Sequence, residues 1–223
     1  LGQEAKAHGR CFWFQPNADF SDWVAHPTDV AGYVTRPGVF SADGPDPASR
    51  ALAAALPADL RGAVGDLGAG WGFLSRAIAA HPDVTTLHLI EADHDALSCA
   101  KSNVTDPRAR FHWADATRWD TPELLDTVVM NPPFHIGRKA DPALGQAFIT
   151  AAARNLKPRG RLLMVANRHL PYEADIETCF ATQRLVSDAN GFKIIEALSP
   201  RLRGPRTGAR SQAARPTTRH RLS

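Results

Sequence analysis

The chain has 223 residues, of which 43% are hydrophobic and 22% are charged, a composition typical of a globular domain with one sizeable core. It contains no run of 18 apolar residues, no signal peptide, and only three widely spaced cysteines, which argues against a membrane span, secretion, a disulfide framework and a zinc site. We therefore expect a cytoplasmic protein without a metal centre. The net charge of +3 is unevenly distributed: residues 200–223 contain seven arginines and no acid, so the remainder carries about −4.

The first 40 residues are irregular and rich in aromatic side chains, and Cys11–Phe14 is a candidate edge strand. A helix is predicted to begin at Asp46, because Pro47 suits the first helical position and alanine- and leucine-rich residues follow to Leu56.

Candidate strands and helices alternate from residue 63 onward. The predicted strands are Ala63–Leu67, Thr85–Ile90, Arg110–Trp113, Val128–Met130, Arg161–Ala166, Arg184–Ser187 and Phe192–Ala197, of which the last two form a closing hairpin. The predicted helices are Trp71–Ala80, Asp95–Asn103, Ala143–Asn155 and a short piece at Pro171–Phe180. This alternation predicts an α/β fold with a seven-stranded, mostly parallel sheet and helices on both faces.

The first of these strands runs into the glycine-rich sequence Gly65-Asp-Leu-Gly-Ala-Gly-Trp-Gly72. Glycines allow a tight turn and the close approach of a ligand to the main chain. A dinucleotide fingerprint, G-x-G-x-x-G, would require a third glycine where Phe73 stands. The spacing instead resembles motif I of the class I S-adenosylmethionine-dependent methyltransferases, which implies a Rossmann-like fold. This resemblance assigns Asp66, Gly68, Ala69, Gly70 and Gly72 to the cofactor site.

Two acidic residues follow the next two strands. Glu91 ends its strand and is suited to accept hydrogen bonds from both ribose hydroxyls, whereas the neighbouring Asp93 is better explained as a helix cap. Asp115 occupies the position at which this family places the acceptor for the adenine amino group, with Ala114 and Ala116 flanking the ring. Because open α/β sheets bind ligands beyond the carboxyl ends of their strands, we expect these residues to converge with the glycine loop.

The β-branched run at Thr127–Met130 stops at Asn131-Pro132-Pro133-Phe134, where each proline holds the preceding residue extended. The Asn131 side-chain oxygen and the Pro132 carbonyl can accept the two hydrogens of an exocyclic amine, while Phe134 stacks on the ring. The alternative is a Pro-Pro turn beside an ordinary core Phe134. The tetrapeptide resembles the signature of amino-methyltransferases, so the predicted catalytic residues are Asn131, Pro132, Pro133 and Phe134, with Asn131 also at the cofactor.

Further stretches resemble the small-subunit rRNA guanine-N2 methyltransferases: Pro37-Gly-Val-Phe-Ser41 with Asp43 and Asp46, Asn131 to Gly137, Val165 to Tyr172, and Phe192-Lys-Ile-Ile195. The resemblance implies methyl transfer to guanine N2 of 16S rRNA, S-adenosylmethionine as cofactor and the 30S subunit as partner. We also expect the protein to be a monomer. Phe134, His135, Arg138 and Arg168 are the predicted substrate-binding residues, and His135 orients the substrate or relays a proton.

The resemblance also divides the chain into a remnant of an N-terminal domain or linker (1–32) and the methyltransferase domain (33–198). The composition of residues 199–223, rich in Arg, Pro, Gly, Ser and Thr with almost no apolar residues, predicts a disordered arginine-rich tail. That tail either holds RNA phosphates or is a solvated terminus. Two alternatives to the guanine-N2 activity stay open. One is methylation of adenine N6 or of protein glutamine, and the other is a truncated, non-catalytic RNA-binding homologue.

Overall fold

The structure is a computed structural model that describes residues 2–6, 9–15, 17, 19–133, 135–136, 139–140 and 142–201. Residues 135, 136, 139, 140 and 142 are described by their backbone alone. The predicted substrate-binding residues Phe134 and Arg138, and the tail from residue 202, therefore lie outside the described residues.

Four short strands at the start of the chain form two separate antiparallel hairpins. In the first, β1 (Gly2–Lys6) pairs with β2 (Gly9–Trp13), and in the second, β3 (Thr28–Val30) pairs with β4 (Tyr33–Thr35). The predicted strand at Cys11–Phe14 is thus present as part of β2, but it pairs only within its own hairpin and is not an edge of the main sheet.

The helix predicted after Asp46 is α1 (Pro47–Ala54), two residues shorter than expected. The Asp46 carboxylate caps it by accepting a hydrogen bond from the Ser49 backbone N–H at 2.8 Å, and Pro47 lies at the first helical position. Both features satisfy or remove backbone donors that the first turn of a helix leaves unpaired.

The remaining elements include every predicted strand and helix, and two short strands between residues 135 and 140 that the sequence did not predict. In chain order, the remaining elements are β5 (Gly62–Leu67), α2 (Phe73–Ala79), β6 (Val84–Glu91), α3 (His94–Asn103), β7 (Ala109–Trp113), β8 (Leu125–Met130), β9 (His135–Ile136), β10 (Lys139–Ala140), α4 (Pro142–Asn155), β11 (Leu156–Asn167), α5 (Glu173–Cys179), β12 (Phe180–Ala189) and β13 (Phe192–Pro200). None of the helices in the described part of the chain is long and apolar enough to cross a membrane.

Seven strands form one sheet in the order β12-β13-β11-β8-β5-β6-β7. The pairs from β11 to β7 are all parallel, and β13 is antiparallel to both of its neighbours. The prediction of a seven-stranded, mostly parallel sheet is confirmed, including its closing hairpin.

The core consists of two layers, one on each face of the sheet. Because side chains alternate between faces along a strand, Val128 and Met130 pack with α4 and α5, whereas Val129 between them packs with α1, α2 and α3. Helices therefore cover both faces, as the sequence predicts.

One predicted boundary is wrong by five residues. The sequence predicts a strand from Arg161, whereas β11 begins at Leu156, which pairs with Leu125, and includes Pro158 and Gly160. The register then shifts between Leu156 and Arg161, so an irregular segment accommodates the proline and glycine within the strand. The short helix begins at Glu173 instead of Pro171. Strand β12 extends beyond the predicted strand Arg184–Ser187 at both ends.

The carboxamide of Asn155 at the end of α4 predicts a measurable stability effect. It is fully buried, accepts from the Thr121 backbone N–H at 2.7 Å, and donates to the carbonyls of Trp119 and Ala151 at 3.0 and 2.9 Å. Asn155→Ala should lower the free energy of unfolding by about 2–4 kcal/mol, because buried backbone groups lose these partners. Urea denaturation measures the change. Thr150→Ala, on the exposed side of α4, is the control and should change stability by less than about 0.5 kcal/mol. Equal stability of both variants would contradict the assignment.

Candidate active site

The carboxyl ends of β8, β5, β6 and β7 lie side by side in the sheet, and each is followed by a predicted site residue or loop. They surround a cavity of about 680 Å³, within the range of small-molecule and cofactor sites. The predicted residues that line it are Gly68, Gly70, Glu91, Asp115, Ala116, Asn131, Pro132 and Pro133. A second, smaller cavity under the same loop adds Ala69.

Hydrogen bonds from its own backbone to β6 hold the glycine loop between β5 and α2 in place. The N–H groups of Gly68 and Ala69 both donate to the Ile90 carbonyl, at 2.9 and 3.1 Å. Gly68, Gly70 and Gly72 all have positive φ, a conformation that favours glycine. At Gly70 a Cβ would meet no atom within 4 Å, so the loop leaves open space beside it. The backbone can therefore come close to a ligand at this point.

Glu91 connects this loop to the end of β6. Its Oε2 accepts from the Gly70 backbone N–H at 2.8 Å, and its Oε1 accepts from the Asp93 N–H at 2.8 Å. Each carboxylate oxygen has a second lone pair, so Glu91 can also accept hydrogen bonds from a ligand diol. Asp93 caps α3, as the sequence predicts, by accepting from the N–H groups of Asp95 and Ala96.

Asp66 is the one predicted cofactor residue, other than Gly72, that lines neither cavity. Its carboxyl is completely buried beneath the loop, where Oδ2 accepts from the Ser75 hydroxyl at 2.6 Å and Oδ1 has no hydrogen-bond partner within the described structure. Burial raises the pKa of Asp66 to about 7, against the opposing effect of the Ser75 hydrogen bond, and the charge of Glu91 adds to the rise. With this pKa the carboxyl is mostly protonated below pH 7, which is consistent with its buried position.

Asp115 lines the cavity beyond β7, and half of its side chain is exposed. One carboxylate oxygen accepts from both the N–H and the hydroxyl of Thr117, at 2.9 and 2.6 Å. The hydroxyl bond is the main reason that the pKa of Asp115 is lowered. Asp115 is therefore an ionised acceptor at the edge of the cavity, next to the buried Ala116.

Asn131 lies directly after β8, and its carboxamide contacts α1. The amide nitrogen Nδ2 donates to Asp46 Oδ2 at 3.0 Å and to Ser49 Oγ at 2.9 Å. Because an ionised carboxylate can only accept, this contact fixes which end of the carboxamide is the nitrogen. The side-chain oxygen is then the part of Asn131 available to accept a hydrogen bond from a substrate.

Of the four predicted substrate-binding residues, only Arg168 has a side chain among the described residues. His135 is described only as backbone, in β9. Arg168 lies on the surface, where its guanidinium pairs with Asp188 at 2.5 Å and its backbone N–H donates to Gly191. Arg168 does not line either cavity.

The sequence did not assign a role to the apolar wall of the cavity. The structure adds side chains from α4, the segment after β11 and the start of β13, together with an aromatic ring from the loop before α1; these are Leu144, Phe148, Leu170, Tyr172, Phe192 and Phe40. Most are core-like residues with no local signal of their own. The stretches containing Phe40, Tyr172 and Phe192 were nevertheless among those that resembled the methyltransferase family.

No group of three histidine, cysteine, aspartate or glutamate side chains that could hold a metal ion occurs among the residues described.

A family model described as "Methyltransferase small domain" matches residues 31–196. Proteins named "Ribosomal RNA small subunit methyltransferase C" from Klebsiella pneumoniae subsp. pneumoniae and Salmonella paratyphi B are 31% and 30% identical to the chain over 196 residues. Each alignment covers 87% of this chain and 57% of the relative. The chain thus spans little more than half the length of these curated relatives.

Solved structures that contain AdoMet also match the chain. The "T. Thermophilus 16S rRNA N2 G1207 methyltransferase (RsmC) in complex with AdoMet and Guanosine" superposes with a TM-score of 0.63 at 30% identity, covering 79% of this chain and 50% of that one. M. jannaschii TYW2 in complex with AdoMet gives a TM-score of 0.56 at 15% identity, covering 88% and 92% of the two chains. The second match concerns the fold alone.

The buried Asp66 predicts a pH dependence of stability. Its folded pKa of about 7 lies above the ordinary value of 3.8, so the folded protein holds a proton that the unfolded chain has lost. The stability of the wild type relative to Asp66→Asn should therefore fall as pH rises from 5 to 7, by at most about 1.4 kcal/mol per pH unit, and level off above 7. Urea denaturation at pH 5, 6, 7 and 8 measures this difference.

The matched control is Asp59→Asn. Hydrogen bonding from Arg161 lowers the pKa of this exposed carboxyl, so both the folded and unfolded states are ionised above pH 5. The difference between wild type and this variant should stay constant across the same range. A constant difference for Asp66→Asn as well would refute the raised pKa.

Proposed function

The chain belongs to the methyltransferase small domain family, and from this premise we propose that it transfers the methyl group of S-adenosylmethionine to the exocyclic N2 amine of a guanine in 16S rRNA. The observation that carries the proposal is the position of the Asn131 carboxamide. It lies in one cavity with the glycine loop and Glu91, and both of its amide hydrogens are directed to α1.

The residues of the cavity fit the cofactor. Gly68 and Gly70 offer a backbone surface without side chains, Glu91 offers carboxylate oxygens to the ribose hydroxyls, and Asp115 offers an ionised acceptor to the adenine amino group. The buried Ala116 offers an apolar contact to the ring. Asp66 acts indirectly in this scheme, since its buried carboxyl supports the loop from below through Ser75 on α2.

When bound, S-adenosylmethionine supplies a methyl group activated by the sulfonium. The protein positions the amine: the Asn131 side-chain oxygen and the Pro132 carbonyl accept its two hydrogens and favour a more tetrahedral nitrogen with its lone pair exposed. Holding two reactants in register can supply roughly 7–11 kcal/mol of the barrier. No strong base is needed, because the nitrogen becomes acidic once it is methylated.

Guanine N2 is favoured over the other amines by two considerations. RsmC of T. thermophilus, a 16S rRNA N2 methyltransferase captured with guanosine, shares the fold at 30% identity and matches most of this chain. The apolar wall formed by Phe148, Leu170 and Tyr172 also suits a flat heterocycle better than the flexible side chain of glutamine.

Partners and location follow from this substrate. The proposed partner is 16S rRNA within the small ribosomal subunit, and the protein acts in the cytoplasm as a monomer. Phe134, His135, Arg138 and Arg168 remain the proposed contacts to the RNA, with Phe134 stacking on the target base and Arg168 at the surface of the β12–β13 hairpin.

Substitutions in the two halves of the site should separate cofactor binding from methyl transfer. Glu91→Ala removes the proposed ribose acceptor and should weaken S-adenosylmethionine binding by about 10-fold or more, because hydrogen bonds to charged groups contribute roughly 1.5–3 kcal/mol. Asn131→Ala should leave binding within about threefold of wild type while lowering the rate of methyl transfer by about 100-fold or more. Calorimetry measures the first effect, and tritiated-methyl incorporation into 30S subunits or 16S rRNA measures the second.

Nucleoside analysis of the labelled RNA identifies the product. Label in N2-methylguanosine supports the proposal, whereas label in N6-methyladenosine or in protein glutamine supports another amino-methyltransferase. Wild-type protein that binds no S-adenosylmethionine would instead favour the non-catalytic homologue.

A further inference from the structure

We propose that Asp46 and Ser49 are positioning residues for Asn131, through which the start of α1 sets the orientation and acceptor strength of the catalytic carboxamide. This inference rests on the proposed function, because it assigns Asn131 the task of accepting hydrogen bonds from the substrate amine. It extends that function to two residues on a different element, more than 80 positions earlier in the chain.

The contacts occupy the nitrogen of the carboxamide completely. Nδ2 has two hydrogens, and its two acceptors are Asp46 Oδ2 at 3.0 Å and Ser49 Oγ at 2.9 Å. An asparagine carboxamide rotates freely about χ2 when nothing holds it, since that torsion is broad. With both hydrogens held by α1, the plane of the group is fixed, and its oxygen is held in one direction relative to the end of β8.

The same contacts strengthen the oxygen as an acceptor. A hydrogen bond donated by an amide N–H to a carboxylate polarises the amide, and charge shifts from nitrogen toward oxygen. Oδ1 of Asn131 therefore carries more negative charge than in an asparagine facing water. A stronger acceptor pulls harder on the hydrogens of a substrate amine, so Asp46, which also lines the cavity, contributes to electrostatic preorganisation through Asn131.

Helix capping accounts for the Asp46 carboxylate but not for the Ser49 hydroxyl. A cap requires only that the Asp46 carboxylate accept from the Ser49 backbone N–H, which it does at 2.8 Å. The Ser49 hydroxyl adds nothing to that cap; a capping box would place glutamate or glutamine at this third helical position. Yet the serine is 8% exposed, and its hydroxyl points to Asn131. The hydroxyl thus has a partner in the site and none in the cap.

The loop in front of α1 makes this support rigid. The Phe40 carbonyl accepts from the Trp71 indole N–H at 2.9 Å, which attaches the loop to the glycine-rich turn. Within the loop, the Thr35 hydroxyl donates to the Ala42 carbonyl at 2.8 Å, and the Ser41 hydroxyl donates to the Gly44 carbonyl at 2.7 Å. The residues that hold Asn131 are thereby connected to the cofactor side of the cavity. A catalytic group is positioned more precisely when the residues that support it are themselves fixed.

Three variants of the full chain test the proposal. Ser49→Ala removes one acceptor and keeps the cap; Asp46→Asn removes the charge and keeps a good cap residue; Ser49→Thr restores a hydroxyl. Ser49→Ala and Asp46→Asn should each lower kcat for methyl transfer to 30S subunits by about 5- to 10-fold, the equivalent of one hydrogen bond, with little change in KM. Ser49→Thr should regain most of the rate. Ser98→Ala, which removes an exposed hydroxyl on α3, is the control and should match wild type.

A second readout does not depend on catalysis. The side-chain NH₂ of Asn131, assigned by ¹⁵N NMR from its loss in Asn131→Ala, should exchange slowly with solvent in the wild type and at least about tenfold faster in Ser49→Ala. In Ser49→Ala, the S-adenosylmethionine affinity measured by calorimetry should stay within about twofold of wild type. The thermal midpoint of this variant should stay within a few degrees of wild type.

The outcomes are distinct. Loss of kcat together with faster NH₂ exchange, at unchanged cofactor affinity, supports positioning. Unchanged kcat and exchange in Ser49→Ala overturn it, and so does a parallel loss of kcat, cofactor affinity and thermal midpoint, which would indicate a purely structural role. If the wild type methylates no RNA, the proposed function fails, and the exchange measurement still decides whether α1 holds Asn131.

Discussion

The parallel pairing of β5 with β8 on one side and β6 on the other is the constraint on which the site depends. Val64, Gly65 and Asp66 pair with Thr127, Val128 and Val129, and Leu67 pairs with Ile90. This register brings the Gly70 N–H to 2.8 Å from the Glu91 carboxylate. A slip of two residues would move these groups about 6–7 Å apart along the strands and separate the halves of the cavity.

The three carboxyl groups near this junction differ in burial and in the roles they suit. Asp66 lies under the glycine loop, away from water, where a raised pKa keeps it largely neutral at pH values below 7. Glu91 and Asp115 lie at the cavity, where backbone N–H groups and Thr117 supply hydrogen bonds to the carboxylates. Environment and not residue type thus separates a structural acid from acceptors suited to a ligand.

The first turn of α1 links fold and chemistry. One carboxylate oxygen of Asp46 accepts from the Ser49 N–H, which stabilises the helix, and from the Asn131 side chain, which orients the proposed catalytic group. A single partly buried carboxylate therefore couples the stability of a helix to the geometry of the segment that follows another strand. Such shared acceptors allow a small domain to hold a catalytic group without a dedicated supporting element.

The sequence by itself determined the strand–helix alternation, the glycine loop and the extended Asn131 segment, because strand periodicity and the special backbone needs of glycine and proline are local properties. The roles proposed for Glu91 and Asp115 rest on their positions after strands and on the resemblance to the methyltransferase family. Only the tertiary structure decided that Asp66 is buried, that β11 begins at Leu156, and that Phe148 and Tyr172 form a cavity wall. It alone also placed Ser49 against Asn131. These features depend on contacts between residues far apart in the chain, whose distances are set by the packing of helices on the sheet and leave no local pattern.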